Sequence, residues 1–288
     1  MKAPSFRYVR ARSLQHAYQV LQHHNGDAVA IAGGQSLMAG LNLRLSGPKV
    51  LVDIGGLPEL SGMDCGGKEV RIGALTRHVE VLRSKALQER IPLLPQAVSH
   101  VAHAAIRNRG TLGGSLAYAD PAAELPACAV ALDATIVVGG LEGEREVKAT
   151  DFFTGLMDTN LKPGELILAV RFPVPPPHTR FAFDEFTRRQ GDFAVVGLAV
   201  TALVGGDQIE TARAVYFGCV DRAKLAEQVS SALCGLKLPV ADRGAIRNAV
   251  TKDLEPDDTP GWRAETKLRL AQVLTQRIVS RLAESGTQ

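Results

Sequence analysis

Aromatic side chains are scarce, with 9 Phe, 4 Tyr and 1 Trp in 288 residues. Aliphatic side chains and alanine therefore have to fill the core. Cysteine is equally sparse: Cys65, Cys128, Cys219 and Cys234 stand far apart, with no C-x-x-C pair. That excludes a zinc ribbon, a disulfide scaffold and the ligand set of an iron–sulfur cluster, and it suits a reducing compartment, so a cytoplasmic protein is expected. Neither sign of charge prevails, since 33 Lys and Arg face 30 Asp and Glu for a net +3. Such a chain lacks the basic footprint of a nucleic-acid binder. Uncharged runs reach only 16 residues, as from Ala28 to Leu43, and glycines break that one at 33, 34 and 40. A bilayer needs about 20 apolar residues, so no membrane span is expected. The opening MKAPSFRYVRARS has no apolar stretch and does not read as a secretory signal. His23-His24, before Asn25-Gly26, read as a solvated helix end, and no metal ligand set is expected.

What the chain does have is glycine, 28 residues of it, in an otherwise ordinary soluble composition. Ser13 followed by Leu14, Ala17, Tyr18 and Leu21 predicts a capped amphipathic helix ending at Asn25-Gly26. Short apolar strands are expected at Ala28 to Ala32 and Lys49 to Ile54. Further strands follow at Glu69 to Gly73, Ala134 to Val138 and Glu165 to Phe172, with helices from a Thr76 cap to Ser84, from Pro92 to about Ala105 and from Ala122 to Leu132. Four prolines in Pro173-Val174-Pro175-Pro176-Pro177 can enter neither a helix nor a central strand and mark a boundary. Beyond it, Phe193 to Leu203 and Thr211 to Cys219 read as an antiparallel pair, and the rest as helix, ending in one from about Arg263 to Ala283.

Two glycine loops carry the chemistry. In AIAGGQSL, Ala30 to Leu37, an apolar strand runs into two glycines and small polar residues. Successive main-chain N–H groups in such a turn make an anion-binding concavity, although a tight structural turn uses the same residues. In RNRGTLGGSLAYADPAAELP, Gly110, Thr111, Gly113, Gly114 and Ser115 fall within six residues, with no charge from Thr111 to Ala119. Two neutral loops about 80 residues apart suit a ligand with two phosphates. Neither loop fits G-x-x-x-x-G-K-[ST] or G-x-G-x-x-G, which sets aside P-loop and Rossmann chemistry.

The segments AGGQSLMAGLNLRL (32–45), IRNRGTLGGSLAYADPAAELPA (106–127), DFFTGLMDTNLKPGELIL (151–168) and FTRRQGDFAVVGLAV (186–200) together resemble the FAD-binding medium subunit of the molybdenum hydroxylases. This is the family of xanthine dehydrogenase, carbon monoxide dehydrogenase and the nicotine and caffeine dehydrogenases. The resemblance implies an α+β chain: a two-part FAD-binding domain of the vanillyl-alcohol-oxidase (PCMH) type, 1–57 and 58–175, then a C-terminal α+β domain with an antiparallel sheet, 176–288. It further implies that Ala32, Gly33, Gly34, Gln35, Ser36 and Leu37 wrap the pyrophosphate and that Thr111, Gly113, Gly114, Ser115, Ala117 and Tyr118 line the flavin side. Glu124 matches a contact to the ribose or adenosine end, Leu166 and Ile167 an apolar contact near the ring, and Asp192 and Phe193 the part of the 188–193 loop nearest the isoalloxazine. Relatives often carry Lys at the position of Glu185, His at Tyr118 and Tyr at Lys267.

No catalytic acid or base is implied, because the expected reaction is electron transfer. Non-covalent FAD would take electrons from an iron–sulfur small subunit with 2Fe–2S clusters, after a large subunit carrying molybdenum and molybdopterin has oxidised the substrate, and pass them to an external acceptor. The implied assembly is a dimer of heterotrimers. Two other readings use the same residues: a self-sufficient flavin oxidase or dehydrogenase, and a non-redox nucleotide-binding scaffold.

Overall fold

The structure, a computed structural model, describes residues 2–240 and 244–284. Its first unit is a parallel three-stranded sheet. Strand β1 (Arg7–Arg10) leads into helix α1 (Leu14–His24), then β2 (Ala28–Ile31), α2 (Leu37–Asn42) and β3 (Val50–Asp53), with β3 central between β1 and β2. The α1 expectation holds in detail. The Ser13 side chain accepts from the His16 N–H, Asn25 closes the helix at φ 33°, and Ala17, Tyr18 and Leu21 are buried. Those three pack with Val50, Val52 and Ile54 in a core that Val137, Leu166, Leu168 and Ala169 of the second unit complete.

The second unit spreads around an antiparallel sheet ordered β4-β5-β10-β6-β7. In chain order it holds β4 (Met63–Asp64), β5 (Glu69–Gly73), α3 (His78–Arg83), α4 (Lys85–Arg90), α5 (Leu93–His100), α6 (Ala104–Arg107), α7 (Leu112–Tyr118) and α8 (Glu124–Ala131). It continues with β6 (Thr135–Gly140), β7 (Gly143–Lys148), α9 (Ala149–Phe152), the hairpin β8 (Phe153–Gly155) and β9 (Asp158–Thr159), and β10 (Leu166–Pro173). Helix α8 is apolar all round and buried from Leu125 to Ala131, which makes it the axis of the largest core.

Two helix expectations need correction here. Thr76 does not cap α3: its hydroxyl donates to the Gly62 carbonyl, and Arg77 is the cap residue, with Glu80 accepting from the Arg77 N–H. The helix expected from Pro92 to Ala105 breaks in two, because Ala102 turns to φ 37°. The guanidinium of Arg107 donates to the carbonyls of Val101 and Ala102 at 2.7 and 2.9 Å, which fastens the break.

The third unit is a four-stranded antiparallel sheet, β11 (Thr179–Phe186), β12 (Val196–Gly205), β13 (Gln208–Phe217) and β14 (Lys224–Leu225), covered by α10 (Glu227–Leu233), α11 (Gly244–Asp253) and α12 (Ala264–Glu284). The expected antiparallel pair is β12 and β13, paired from Gly197↔Phe217 to Gly205↔Gln208. Part of the expected helical remainder, residues 241–243 and those after 284, lies outside the described residues. Helix α8 docks against β12 and β13, and the Thr201 hydroxyl donates to the Ala131 carbonyl at 3.1 Å.

Candidate functional site

The first loop links β2 to α2. Gly34 adopts φ +72°, a backbone state that side chains resist, and the Gln35 side chain donates to the Gly33 carbonyl at 2.9 Å. Among the described residues the main-chain N–H groups of Gly33, Gly34, Gln35 and Ser36 donate to no acceptor of the chain. Four successive free donors on a loop that is only partly covered are the main-chain feature an anion would require.

The second loop is built differently. Thr111 caps α7 with its side chain on the Gly114 N–H at 3.2 Å, while the N–H groups of Leu112 and Gly113 donate to the carbonyls of Thr76 and Ala74. Its donors are thus committed to the protein, contrary to the expectation that both loops offer free backbone to phosphate. Thr111 and Gly113 are buried scaffold, whereas Gly114, Ser115, Ala117 and Tyr118 reach the surface. The glycines also have a reason other than ligand approach. A Cβ built on Gly33 would strike the Arg109 carbonyl, and one on Gly113 would come within 2.5 Å of the Ala74 Cβ. The loops, far apart in sequence, abut one another: Gly33 sits on the Arg109-Gly110 backbone, the site of a Cβ on Gly114 lies 3.9 Å from the Ala32 Cβ, and that on Gly40 lies 3.7 Å from the Tyr118 hydroxyl.

Acidic groups flank α7 and α8. Asp120 starts the turn into α8 by accepting from the Ala122 N–H, and burial raises its pKa. Glu124, in the first turn of α8, is pushed up to about 8, chiefly by burial and further by the charges of Glu185 and Asp120. Glu124 and Glu185 therefore stand within electrostatic reach of each other. Glu185 does not point to solvent: its side chain is 4% exposed and its Oε1 lies 3.4 Å from His100 Nδ1.

The loop after β11 docks on the broken helix, because Gly191, at φ +84°, leaves no room for a Cβ beside the His103 ring. Asp192 is held by Arg189 through both its N–H and its carboxylate, and Phe193 is 69% exposed. Arg188 lies over the Trp262 ring. The structure thus sets 32–37 beside 109–118 and packs Glu185 and Gly191 on His100 and His103, with Glu124 within electrostatic reach of Glu185. Leu166 and Ile167 lie on the strand that packs against α7. Both are buried on β10, Leu166 in the first core and Ile167 in the largest one, so neither presents its side chain to a ligand. The sequence reading missed His100 and His103, which lie in no recognisable motif and gain their role only from the strand that packs on them.

No helix among the described residues is long and apolar enough to cross a membrane. The family model described as the FAD binding domain in molybdopterin dehydrogenase matches residues 4–175, and that of the CO dehydrogenase flavoprotein C-terminal domain matches 181–282. The 6-hydroxypseudooxynicotine dehydrogenase complex subunit alpha of Paenarthrobacter nicotinovorans is 38% identical over 98% of this chain and 95% of its own length. Among solved structures, a chain of carbon monoxide dehydrogenase from Hydrogenophaga pseudoflava superposes with a TM-score of 0.95 at 32% identity, covering 99% of both chains. A chain of quinoline 2-oxidoreductase from Pseudomonas putida 86 gives 0.92 at 37%, covering both chains completely. With the two glycine loops in contact, the α+β architecture and full-length similarity all in agreement, this chain belongs to the family of FAD-binding medium subunits of molybdopterin dehydrogenases.

Proposed function

We propose that this chain is the FAD-binding electron-transfer subunit of a multi-subunit molybdenum hydroxylase. The observation that carries the proposal is the first loop, with four unpartnered N–H groups braced against the second. In this reading the main chain of Ala32 to Ser36, with Leu37 behind it, holds the pyrophosphate without using charge. Ser115, Ala117 and Tyr118 form the wall along the flavin, with Thr111, Gly113 and Gly114 fixing that wall in place. Glu124, protonated at neutral pH, offers a hydroxyl donor rather than a repelling charge. The 188–193 loop covers the ring and limits access of water to it. FAD, when bound, supplies the exchange between one-electron and two-electron transfer, and the chain positions it.

The units 1–57 and 58–175 are assigned as the two halves of the FAD-binding domain, and 176–288 as the C-terminal domain, in line with the three larger sheets. Its four free cysteines, two of them buried, provide no cluster, so the electrons come from an iron–sulfur subunit, and the substrate is oxidised on a molybdopterin subunit. A dimer of heterotrimers in the cytoplasm completes the proposal. The test is to combine the purified chain with its two partner subunits and add substrate. Bleaching of the flavin band only when both partners are present is expected. Bleaching by the chain alone would turn the reading into a self-sufficient flavoenzyme, and no bleaching with both would reject it.

A further inference from the structure

Charge is shared unevenly along the chain. Residues 1–57 hold 6 Lys and Arg against 2 acids, Asp27 and Asp53, whereas the remaining residues hold 27 against 28. Both acids of the first unit are engaged. Asp27 pairs with Lys49 at 2.7 Å, and the Asp53 carboxylate accepts from the Tyr8 hydroxyl and the Gly55 N–H. The cations at 7, 10 and 12 find no such match: Arg7 hydrogen-bonds the His24 ring rather than an acid, and Arg10 and Arg12 join no ion pair among the described residues.

These three cations lie on or just past β1, which is an edge of its sheet, hydrogen-bonded to β3 alone. Parallel pairing from Arg7↔Val50 to Arg10↔Asp53 turns the main chain of Arg7 and Val9 toward β3, in step with the Arg7 N–H on the Lys49 carbonyl at 2.8 Å and the Ala11 N–H on the Asp53 carbonyl at 2.9 Å. The N–H and C=O groups of Tyr8 and Arg10 therefore turn outward, and none of the described residues takes them. The side chains of Arg7, Tyr8 and Arg10 are exposed, that of Tyr8 by 56%. An open edge is a template for another strand, and charge on it repels strands of the same sign. Arginine guards this edge against basic strands and against a second copy of itself, and leaves it open to acidic ones.

We propose that the β1 edge docks an extended acidic segment of a partner subunit, which adds to the first sheet as a fourth strand. Its main chain pairs with the outward groups of Tyr8 and Arg10, and its carboxylates meet Arg7, Arg10 and Arg12. Main-chain pairing fixes the register, and charge selects the sequence. A nucleic acid or an anionic membrane would give the arginines acceptors, but its phosphates offer the outward carbonyls no donor. That the segment belongs to a partner subunit rests on the multi-subunit reading, whereas the open edge and its charge belong to the chain alone.

The probe is a fluorescein-labelled peptide of alternating Glu and Val, titrated with the full chain and read by anisotropy. Saturable binding is expected, weakened by salt and at least about tenfold by Arg10→Glu combined with Arg12→Glu. Tyr8→Pro removes an outward N–H that the pairing with β3 does not use, and edge strands tolerate proline there. It should weaken binding at least about tenfold, whereas Tyr8→Val, which keeps the N–H, should not. N-methyl groups on two adjacent central residues of the peptide block both of its edges without changing its charge, and should abolish binding even if Tyr8→Pro does not fold. Absence of binding, or binding indifferent to both Tyr8→Pro and the N-methyl groups, would overturn the proposal, the second outcome leaving attraction between charges alone. Gel filtration with the two partner subunits tests the natural occupant. The Tyr8→Pro chain should fail to co-elute with them where the unaltered chain does, and normal assembly of that variant would overturn the assignment to a partner subunit. An unaltered chain that binds the peptide yet never assembles would reject the multi-subunit reading while upholding the acidic-strand edge.

Discussion

Glu124 and His78 titrate in opposite directions, and each makes the fold sensitive to pH. The folded chain raises Glu124 from 4.5 to about 8, so between those values it binds a proton that the unfolded chain releases. The stability this contributes is complete below about pH 4.5 and is lost as pH rises through about 8. Thermal melts across this window should show the midpoint falling with pH, and Glu124→Gln should flatten that fall. His78, wedged against Gly110, is lowered by burial from 6.5 to about 4, so here the unfolded chain holds the extra proton. Its contribution is present above about 6.5 and lost as pH falls to about 4, and His78→Gln should remove that acid sensitivity in the same melts. Ser36, exposed beside the free donors, gives a test of charge alone. Ser36→Asp retains a helix-capping residue while adding a negative charge, which should weaken FAD binding by roughly 1–3 kcal/mol with the melting temperature unchanged. FAD titration followed by fluorescence checks it.

At the scale of elements, the glycines separate structure from ligand. A Cβ on Gly33 would be driven into the second loop, so Gly33→Ala should lower both stability and FAD affinity, whereas Ser36→Asp should lower affinity only. On β12 a Cβ at Gly197 would come within 2.0 Å of the ring of Phe217, its partner across the pair. Gly197→Ala should therefore cost about 1–3 kcal/mol in a denaturant melt, as overpacked cores do, without touching the site. The elements legible in the sequence were those with a strong local period: α1 with its Ser13 cap, β12 with β13, and α12. The misread ones were decided by distant partners. Thr76 looked like a cap but serves the Gly62 carbonyl, and α5 ends early because Arg107, seven residues past its last turn, ties Val101 and Ala102. Helix α7 was hidden because its glycines, read as loop, are the small side its neighbour Ala74 needs.

For the whole molecule, the three larger sheets are joined through shared cores: the first packs with Val137, Leu166 and Ala169 of the second, and the largest core takes in Phe183, Val215 and Phe217 of the third. The identity of the two glycine loops could be read from residues alone, and their family follows from full-length similarity. Their mutual contact could not be read, nor could the approach of Glu185 to His100 and Glu124, since these pairings arise only when β11 packs beside α5. The claim on which the rest depends is that FAD is held at the contact between the loops. The direct measurement is the absorbance spectrum of the purified full chain, alone and after addition of FAD and removal of the excess. One flavin per chain, reduced strongly in Ser36→Asp while that variant remains folded, is the predicted result. A folded chain that stays colourless after exposure to FAD would contradict it.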